Sequence, residues 1–145
     1  MKKCIIGLFL ILSLFFTAGC SSRIVGDSAT GAVVGIIEHG EVREERIGAA
    51  IVLVREFTIT ATKKGGYTPT ILQAQKGELI RLIIYASDAN HGFVQIEYGI
   101  NEFIEENNYK TIEFVADQEG EFTFFSNVYA GPGTKDMYGV LIIEE

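Results

Sequence analysis

Tryptophan is absent from the 145 residues, and cysteine, proline, histidine and methionine each occur only twice. Both cysteines, Cys4 and Cys20, lie within the first 20 residues, so no thiol follows residue 20. The rest of the chain can therefore form neither a disulfide nor a thiolate bond to a metal. Because tryptophan is missing, phenylalanine and the aliphatic residues must fill the core.

Other absences narrow the possible functions. The sequence has no Ser-His-Asp arrangement, no glycine-rich phosphate loop and no metal-hydrolase spacing, which argues against an independent enzyme. Acidic residues outnumber basic ones by 19 to 12. Removal of Lys2 and Lys3 with a signal peptide would leave ten basic residues against 19 acidic ones, a net charge of about −9. This surface disfavours nucleic acid and anionic lipid head groups as partners.

The N-terminus predicts export and lipid anchoring. A basic start at Lys2 and Lys3 precedes a short apolar run over residues 5–16. That run is roughly a dozen residues, whereas a membrane-spanning helix needs about 20. The following Thr-Ala-Gly-Cys resembles a bacterial lipobox, so residues 1–19 are predicted to be a lipoprotein signal peptide and Cys20 the lipidated residue. An ordinary signal peptide or an uncleaved anchor are the alternatives.

The prediction places the protein in the bacterial cell envelope, lipid-anchored to a membrane. The residue after Cys20 is Ser21 and not an aspartate. If the host is Gram-negative, this resembles an outer-membrane sorting signal. Residues 20–54 are then a lipidated tether with possible extra N-terminal strands. Within them, residues 32–37 and 47–54 are apolar and residues 41–46 are charged. Two strands joined by a charged turn fit this pattern, and so does a helix over residues 41–54.

From residue 55 to residue 145 the pattern indicates one all-β domain. Apolar and polar residues alternate with the period of two that marks a half-buried strand, and glycine-rich turns separate the runs. An Asn-Asn pair at 107–108 suits a hairpin turn, because asparagine tolerates positive φ. Many short strands at near-regular spacing predict a β-sandwich. The predicted strands cover residues 57–62, 72–75, 80–84, 93–100, 112–116, 122–125 and 138–143.

Residues 124–139, FFSNVYAGPGTKDMYG, resemble the metal loop of copper-A-like cupredoxins, the family of oxidase subunit II and nitrous-oxide reductase. Ser126 and Ala130 stand where that family has its two cysteines, and Thr134 stands where it has a histidine. Met137 is kept, and His91 lies in a segment, SDANHGF, that resembles the one carrying the first histidine ligand. The resemblance spans about 80–90 residues and implies a Greek-key β-sandwich (cupredoxin-like) with its site at one end.

The replaced ligands alter what the resemblance implies. A copper-A centre needs two bridging thiolates and a blue-copper site needs one thiolate with two histidines. No cofactor is therefore expected, with copper on His91 and Met137 as the alternative. The competing interpretation is that His91 hydrogen-bonds within the loop end and that Met137 fills space in the core. His39, in a charged glycine-containing segment, is interpreted as a surface residue.

The function expected from the sequence is a membrane-anchored, non-redox binding or accessory module related to oxidase subunit II. It is not an enzyme by itself, and at most a component of an oxidase complex. A protein partner in a respiratory or copper-related assembly is expected, because a rigid sandwich with an exposed loop end can present a binding surface. The alternative is a copper-binding protein, either for copper handling or for electron transfer as a subunit II-like component.

Overall fold

A computed structural model describes residues 37–145 of the chain. The predicted signal peptide, Cys20 and the first part of the tether lie outside these residues. Strands make up most of the described part, together with a short 3₁₀ helix at Thr134–Asp136. The strands are β1 (Ile37–Glu38), β2 (Glu41–Ile47), β3 (Ala50–Thr62), β4 (Gly66–Thr68), β5 (Ile71–Gln75), β6 (Leu79–Ala86), β7 (His91–Gln95), β8 (Ile100–Ile104), β9 (Asn108–Val115), β10 (Gly120–Phe125) and β11 (Tyr138–Glu144).

The strands form two sheets. One has six strands in the order β1-β5-β11-β10-β7-β8, and the other has the order β2-β3-β6-β9 with β4 paired to β3. Strand β11 lies in the middle of the six-stranded sheet, parallel to β5 on one side and antiparallel to β10 on the other. The prediction of an all-β sandwich is therefore confirmed. Within residues 37–145 no helix has the length and apolar character that crossing a membrane requires.

The core lies between the sheets and follows the alternation in the sequence. On β3, Phe57, Ile59 and Ala61 are buried, and the residues between them face outward or lie partly exposed. Parallel pairing sets Phe57 beside Leu82 and Ile59 beside Ile84 of β6, so the same face is apolar on both strands. Burial of large aliphatic side chains contributes about 1.5–3 kcal/mol each.

A cluster of three aromatic rings takes the volume that a tryptophan could have filled. Tyr67 packs edge-on against Phe93 and Phe124, with ring centroids 5.7 and 5.3 Å apart. Phe93 and Phe124 stack at 5.0 Å. All three residues are buried. The cluster lies under the end of the sandwich that carries residues 126–137, which will be called the loop end.

The opposite end is formed by a hairpin of β2 and β3, which corrects two expectations. Residues 41–46 form most of strand β2, so the charged turn predicted there is wrong, and so is the helix over residues 41–54. The actual turn is at Gly48, whose φ of 62° is in the left-handed region that glycine adopts without strain. Of the predicted 32–37 strand, only Ile37 lies within the described residues.

The hairpin protrudes beyond the rest of its sheet. Strand β6 begins to pair with β3 at Val54, so the first four residues of β3 have only β2 beside them. At the far end of β3, the Lys63 amide donates to Asp88 next to the loop end. The 13 residues of β3 therefore span about 40 Å from the hairpin tip to the loop end.

Two further boundaries differ from the sequence predictions. The single strand expected over residues 93–100 is interrupted by a turn, in which the Gly99 amide donates to the Ile96 carbonyl and the Gly99 φ is 65°. Asn107 does have positive φ, at 59°. The turn at Asn107, however, carries the chain from β8 in one sheet to β9 in the other, so it does not form a hairpin.

Candidate functional site

The loop between β10 and β11 lies over the start of β7. Phe125, the last residue of β10, pairs with Tyr138 of β11 on one side and with Val94 of β7 on the other. The residues that continue from Phe125 therefore run beside the first residues of β7, where His91 lies. The topology thus brings together the loop and His91, the two segments that the sequence singled out.

Ser126 is the link between these segments. Its Oγ accepts hydrogen bonds from the Gly92 amide at 3.1 Å and from the Val128 amide at 3.3 Å, and it donates to the Val128 carbonyl at 3.3 Å. Its own amide donates to the Met137 carbonyl at 3.1 Å. The hydroxyl thus accepts two hydrogen bonds and donates one, which is its full capacity for ordinary hydrogen bonds.

The other two replaced positions are satisfied inside the loop. Thr134 is buried, its Oγ1 donates to the Gly131 carbonyl at 2.7 Å, and the same atom accepts from the Ala130 amide at 3.3 Å. The methyl group of Ala130 needs no partner. The loop therefore closes around Ser126, Ala130 and Thr134 with hydrogen bonds of its own.

His91 differs, because one of its ring nitrogens has no hydrogen-bond partner among residues 37–145. The side chain is completely buried, and its Nε2 lies 3.1 Å from Asp88 Oδ1. Partial burial acts to raise the pKa of Asp88, but hydrogen bonds from the Lys63 amide and from His91 outweigh it and lower that pKa. An ionised carboxylate can only accept, so the Nε2 carries the hydrogen. No described residue offers a hydrogen bond to Nδ1, so this buried nitrogen is left bare among residues 37–145.

Met137 and Tyr67 complete the buried side of the loop end. Met137 is buried within the hydrophobic core. The Tyr67 hydroxyl donates to the Gly92 carbonyl at 2.5 Å, and burial raises the pKa of this hydroxyl. Sequence reasoning did not select Tyr67 as a site residue. Its position between a Lys-Lys-Gly-Gly turn and a Thr-Pro pair gave no signal of a hydroxyl that would reach the residue after His91.

Close packing fixes the spacing between β7 and the loop. A Cβ added to Gly92 would overlap Asn127 Oδ1 and lie 3.1 Å from the Asn127 amide nitrogen. The Asn127 side chain is in turn held to Asn101 of β8, with Nδ2 donating to Oδ1 at 3.0 Å. The lack of a side chain at Gly92 therefore favours the close approach of the loop that lets Ser126 accept the Gly92 amide.

The side chains present do not fit a copper-A centre. Residues 126, 130 and 134 provide a hydroxyl, a methyl group and a second hydroxyl, none of them a thiolate or an imidazole, and both hydroxyls are engaged in the loop. Within residues 37–145 no three histidine, cysteine, aspartate or glutamate side chains converge in a way that could hold a metal ion. Of the side chains at the loop end, the thioether of Met137 is a soft ligand that suits Cu(I), and the imidazole of His91 is a ligand type that suits copper among other metals.

Comparison with known proteins places this geometry in a family. A model of the cupredoxin-like domain matches residues 51–143. The cytochrome c oxidase subunit 2 of Thermus thermophilus is 28% identical over 80 residues, which are 55% of this chain and 59% of that protein. The chain thus spans less than two thirds of the length of this curated relative.

Solved structures agree on the fold. The metal-binding domain of the Cu(I)-exporting P-type ATPase CopA of Streptococcus pneumoniae D39 superposes with a TM-score of 0.58 at 21% identity, covering 77% of this chain and 98% of that domain. A chain of a heme-copper terminal oxidase dimer superposes with a TM-score of 0.56 at 13% identity, covering 83% of this chain and 80% of that one. At these identities the likeness establishes a shared fold.

Proposed function

This chain belongs to the cupredoxin-like domain family, and we propose that it is an exported, lipid-anchored accessory module related to oxidase subunit II that works without an intact copper-A centre. It would act by binding a protein of a membrane assembly rather than by carrying electrons. The similarity to cytochrome c oxidase subunit 2 supports a respiratory assembly as the setting. The predicted signal peptide over residues 1–19, followed directly by Cys20, supports the anchor.

The observation that carries the proposal is the bonding of Ser126. A thiolate at this position would bridge two copper ions, whereas the Ser126 hydroxyl instead receives the amides of Gly92 and Val128. Thr134 likewise turns its hydroxyl back onto the loop. These bonds let the loop keep its shape without a metal, and a loop of fixed shape at the end of a rigid sandwich is suited to binding a partner.

Copper loading tests the absence of the centre. The full chain, purified in detergent and incubated with copper, is expected to remain colourless and to show no electron-spin signal of a mixed-valence pair. A purple protein with two coppers per chain would refute the proposal. The triple variant Ser126→Cys, Ala130→Cys and Thr134→His is expected to gain the dinuclear centre. If that variant folds and still binds no copper, the alignment of these positions with the family ligands is wrong.

Membrane attachment is tested separately through Cys20. Cells fed a labelled fatty acid are expected to label the wild-type protein and the Cys4→Ser variant, but not the Cys20→Ser variant. The same Cys20→Ser variant is expected to leave the membrane fraction. Labelling that survives Cys20→Ser would reject lipidation at this residue while leaving the conclusions about the loop end untouched.

Copper handling is the second candidate, and the bare Nδ1 of His91 favours it. A histidine that binds a metal through one nitrogen commonly donates the other N–H to a carboxylate, as His91 does to Asp88. Met137 lies in the same buried end, and the structurally similar CopA domain is described as holding Cu(I). Two ligands would bind Cu(I) weakly, and a loosely bound ion is what a transfer protein requires.

Titration with Cu(I) against a competing chelator separates the two functions. The accessory function predicts no site tighter than micromolar. The copper-handling function predicts a tighter site that is lost in His91→Gln and in Met137→Leu and is retained in His39→Gln. His39 is the matched control because it is an exposed histidine far from the loop end.

A further inference from the structure

We infer that residues 33–36, which directly precede β1, extend the chain backward from β1 past Thr70 and occupy a surface groove beside the loop end. The groove would then be the docking site of the chain's own N-terminal segment. This inference does not depend on whether the loop end binds copper.

The groove has a volume of about 530 Å³ and runs between two different parts of the loop end. One wall is apolar and consists of Ile71 at the start of β5 together with Tyr138 and Val140 of β11. The other wall includes Lys64, Tyr67 and Asp136. A concave site with an apolar wall and a few polar groups at its rim is suited to an apolar strand with polar backbone groups.

The register of β1 leads into this groove. Strand β1 runs parallel to β5, with Ile37 beside Ile71 and Glu38 beside Leu72. Continuing the same register backward sets residue 36 beside Thr70, which also lines the groove. An extended chain that continues backward from Ile37 past Thr70 therefore approaches the groove.

The surface beside the groove lacks the polar character of a free outer face. Ile37, Ile71 and Val140 form one row across three neighbouring strands, and Tyr138 and Phe125 form part of the next row. Ile37 is 52% exposed and Tyr138 is 60% exposed. A contiguous apolar patch of this kind on a sheet face usually marks a contact surface.

Residues 33–36 are the segment of this chain that we propose fills the groove. Residues 33–36 are Val-Val-Gly-Ile, an apolar sequence with strand-forming side chains. Thirty-six residues precede Ile37, and the described chain starts at the mouth of the groove. Because the segment is covalently attached, its effective concentration at the groove exceeds that of a free partner by orders of magnitude.

The absence of tryptophan allows a direct probe. In the full chain, Tyr138→Trp would introduce the only tryptophan, on the wall of the groove. Replacing residues 33–36 with Gly-Ser-Gly-Ser is expected to increase quenching of this tryptophan by acrylamide about twofold. Tyr109→Trp is the matched control, because Tyr109 is equally exposed but lies on the other sheet, and its quenching is expected not to change.

Disulfide trapping identifies the occupant. In the full chain with Cys4→Ser and Cys20→Ser, the pair Ile36→Cys and Thr70→Cys is expected to oxidise within one molecule. Neighbouring strands lie about 4.8 Å apart, which is within the Cα separation that a disulfide accepts. The control pair Ile36→Cys and Thr58→Cys is expected to stay reduced, because Thr58 is on the other sheet.

Three results would overturn the inference. Covalent dimers with the 36/70 pair would mean that a second copy fills the groove. No disulfide, or equal oxidation of both pairs, would mean that residues 33–36 lie elsewhere. Unchanged quenching at the Tyr138→Trp position after the Gly-Ser replacement would mean that nothing in this segment covers the groove.

Docking would shorten the link between the proposed lipid anchor and the domain, a consequence that rests on the proposed lipidation at Cys20. Twelve residues, 21–32, would remain free, with a root-mean-square reach of about 20 Å for a flexible chain. The disulfide experiment uses protein with Cys20→Ser, which cannot carry the proposed lipid, so its outcome does not depend on the anchor.

Discussion

The loop end and the hairpin end of this sandwich differ in which side chains they bury and which they expose. At the loop end, the polar side chains of Ser126 and Thr134 are turned into the protein and hydrogen-bonded. At the hairpin end, Ile47, Ile51 and Leu53 lie in solvent although they are apolar. The family match covers residues 51–143 and so includes the whole loop end, but it leaves out β2.

This contrast between the two ends shows that the family match accounts for the loop end but not for strand β2 of the hairpin. The loop end is a closed structure whose shape depends on specific bonds between segments far apart in the sequence. At the hairpin end, β2 lies outside the family match, and the tip depends mainly on pairing between β2 and β3, with Glu45 of β2 also bonded to Arg81 of β6 at 2.6 and 2.9 Å. We therefore expect substitutions at the loop end and in the core beneath it to cost more stability than matched substitutions near the hairpin tip.

The largest contrast is expected within one strand. Ile59 and Ile51 lie on the same face of β3, but Ile59 is fully buried whereas Ile51 is 62% exposed. Ile59→Ala is expected to lower the free energy of unfolding by about 2–5 kcal/mol through lost burial and a cavity. Ile51→Ala should change it by less than about 0.5 kcal/mol. Urea unfolding of both variants measures the difference, and equal losses would show that the hairpin face is covered.

The next effect concerns the ion pair that ties the base of the hairpin to the domain. Arg55 donates to Glu78 at 2.5 and 2.7 Å and also to the His39 carbonyl between β1 and β2. Glu78→Gln is expected to cost about 1.5–3 kcal/mol at pH 7, because Glu78 is buried and the bonds are charge-assisted. The exposed Glu113, which pairs with Arg81, is the matched control, and Glu113→Gln should cost less than about 1 kcal/mol.

The same pair predicts a pH dependence. Burial acts to raise the pKa of Glu78, but the bonds from Arg55 and from the Gln75 amide outweigh it and lower that pKa. A lowered pKa contributes stability above the unfolded value, about 4.3, and this stability is lost as the pH falls through the folded value. The gap between wild type and Glu78→Gln should thus be widest above about pH 5 and close at lower pH. A gap independent of pH would argue against this ion pair.

A smaller effect is expected from two glycines at opposite ends. A Cβ on Gly139 would overlap the Phe124 ring and come within 2.6 Å of the Thr70 carbonyl oxygen. Gly139→Ala should therefore cost about 1–3 kcal/mol by overpacking. At Gly48 in the hairpin turn a Cβ meets nothing within 4 Å, and Gly48→Ala should cost only about 1 kcal/mol for its left-handed backbone. Thermal unfolding of the two variants compares them, and the reverse order would contradict the packing described for the loop end.

The smallest effect is expected from the hydroxyl that closes the loop. Ser126→Ala leaves the partly buried amides of Gly92 and Val128 without this acceptor, and the expected cost is about 1 kcal/mol. Thr58→Ala, at an exposed position, is the control and should be neutral. Hydrogen exchange at the Gly92 amide gives a second measurement and should accelerate in Ser126→Ala alone. If neither quantity changes, the hydroxyl does not hold the loop to β7.

Much of the fold could be predicted because the core strands alternate strictly. The alternation in β3 and β6 is readable from Phe57, Ile59, Leu82 and Ile84 alone, since one face of each strand is buried. Strand β2 was missed for the opposite reason. It is an edge strand with most of its residues in solvent, and its Glu and Arg side chains carry no period of two that a core would impose.

The candidate site was predictable in its members but not in its bonding. The sequence placed Ser126, Ala130, Thr134 and Met137 on one loop and predicted that His91 would lie near it. It could not reveal that Ser126 binds the Gly92 amide, because that contact joins residues 34 apart in the chain. Nor could it reveal that Nδ1 of His91 has no hydrogen-bond partner among the described residues, because this depends on how the surrounding segments pack. The break at Gly99 in the predicted 93–100 strand was signalled by that glycine and was missed because the flanking residues favour strands.

The position of β11 makes completion of the six-stranded sheet depend on residues 138–144. Residues 138–144 supply the strand that separates β5 from β10, so neither half of the six-stranded sheet can complete its pairing before these residues have been synthesised. Contacts between β5 and β11 also join residues about 70 positions apart, and such long-range pairing forms slowly. A chain without residues 138–144 would leave β5 and β10 without the strand that joins them, so we expect it to fail to complete the six-stranded sheet.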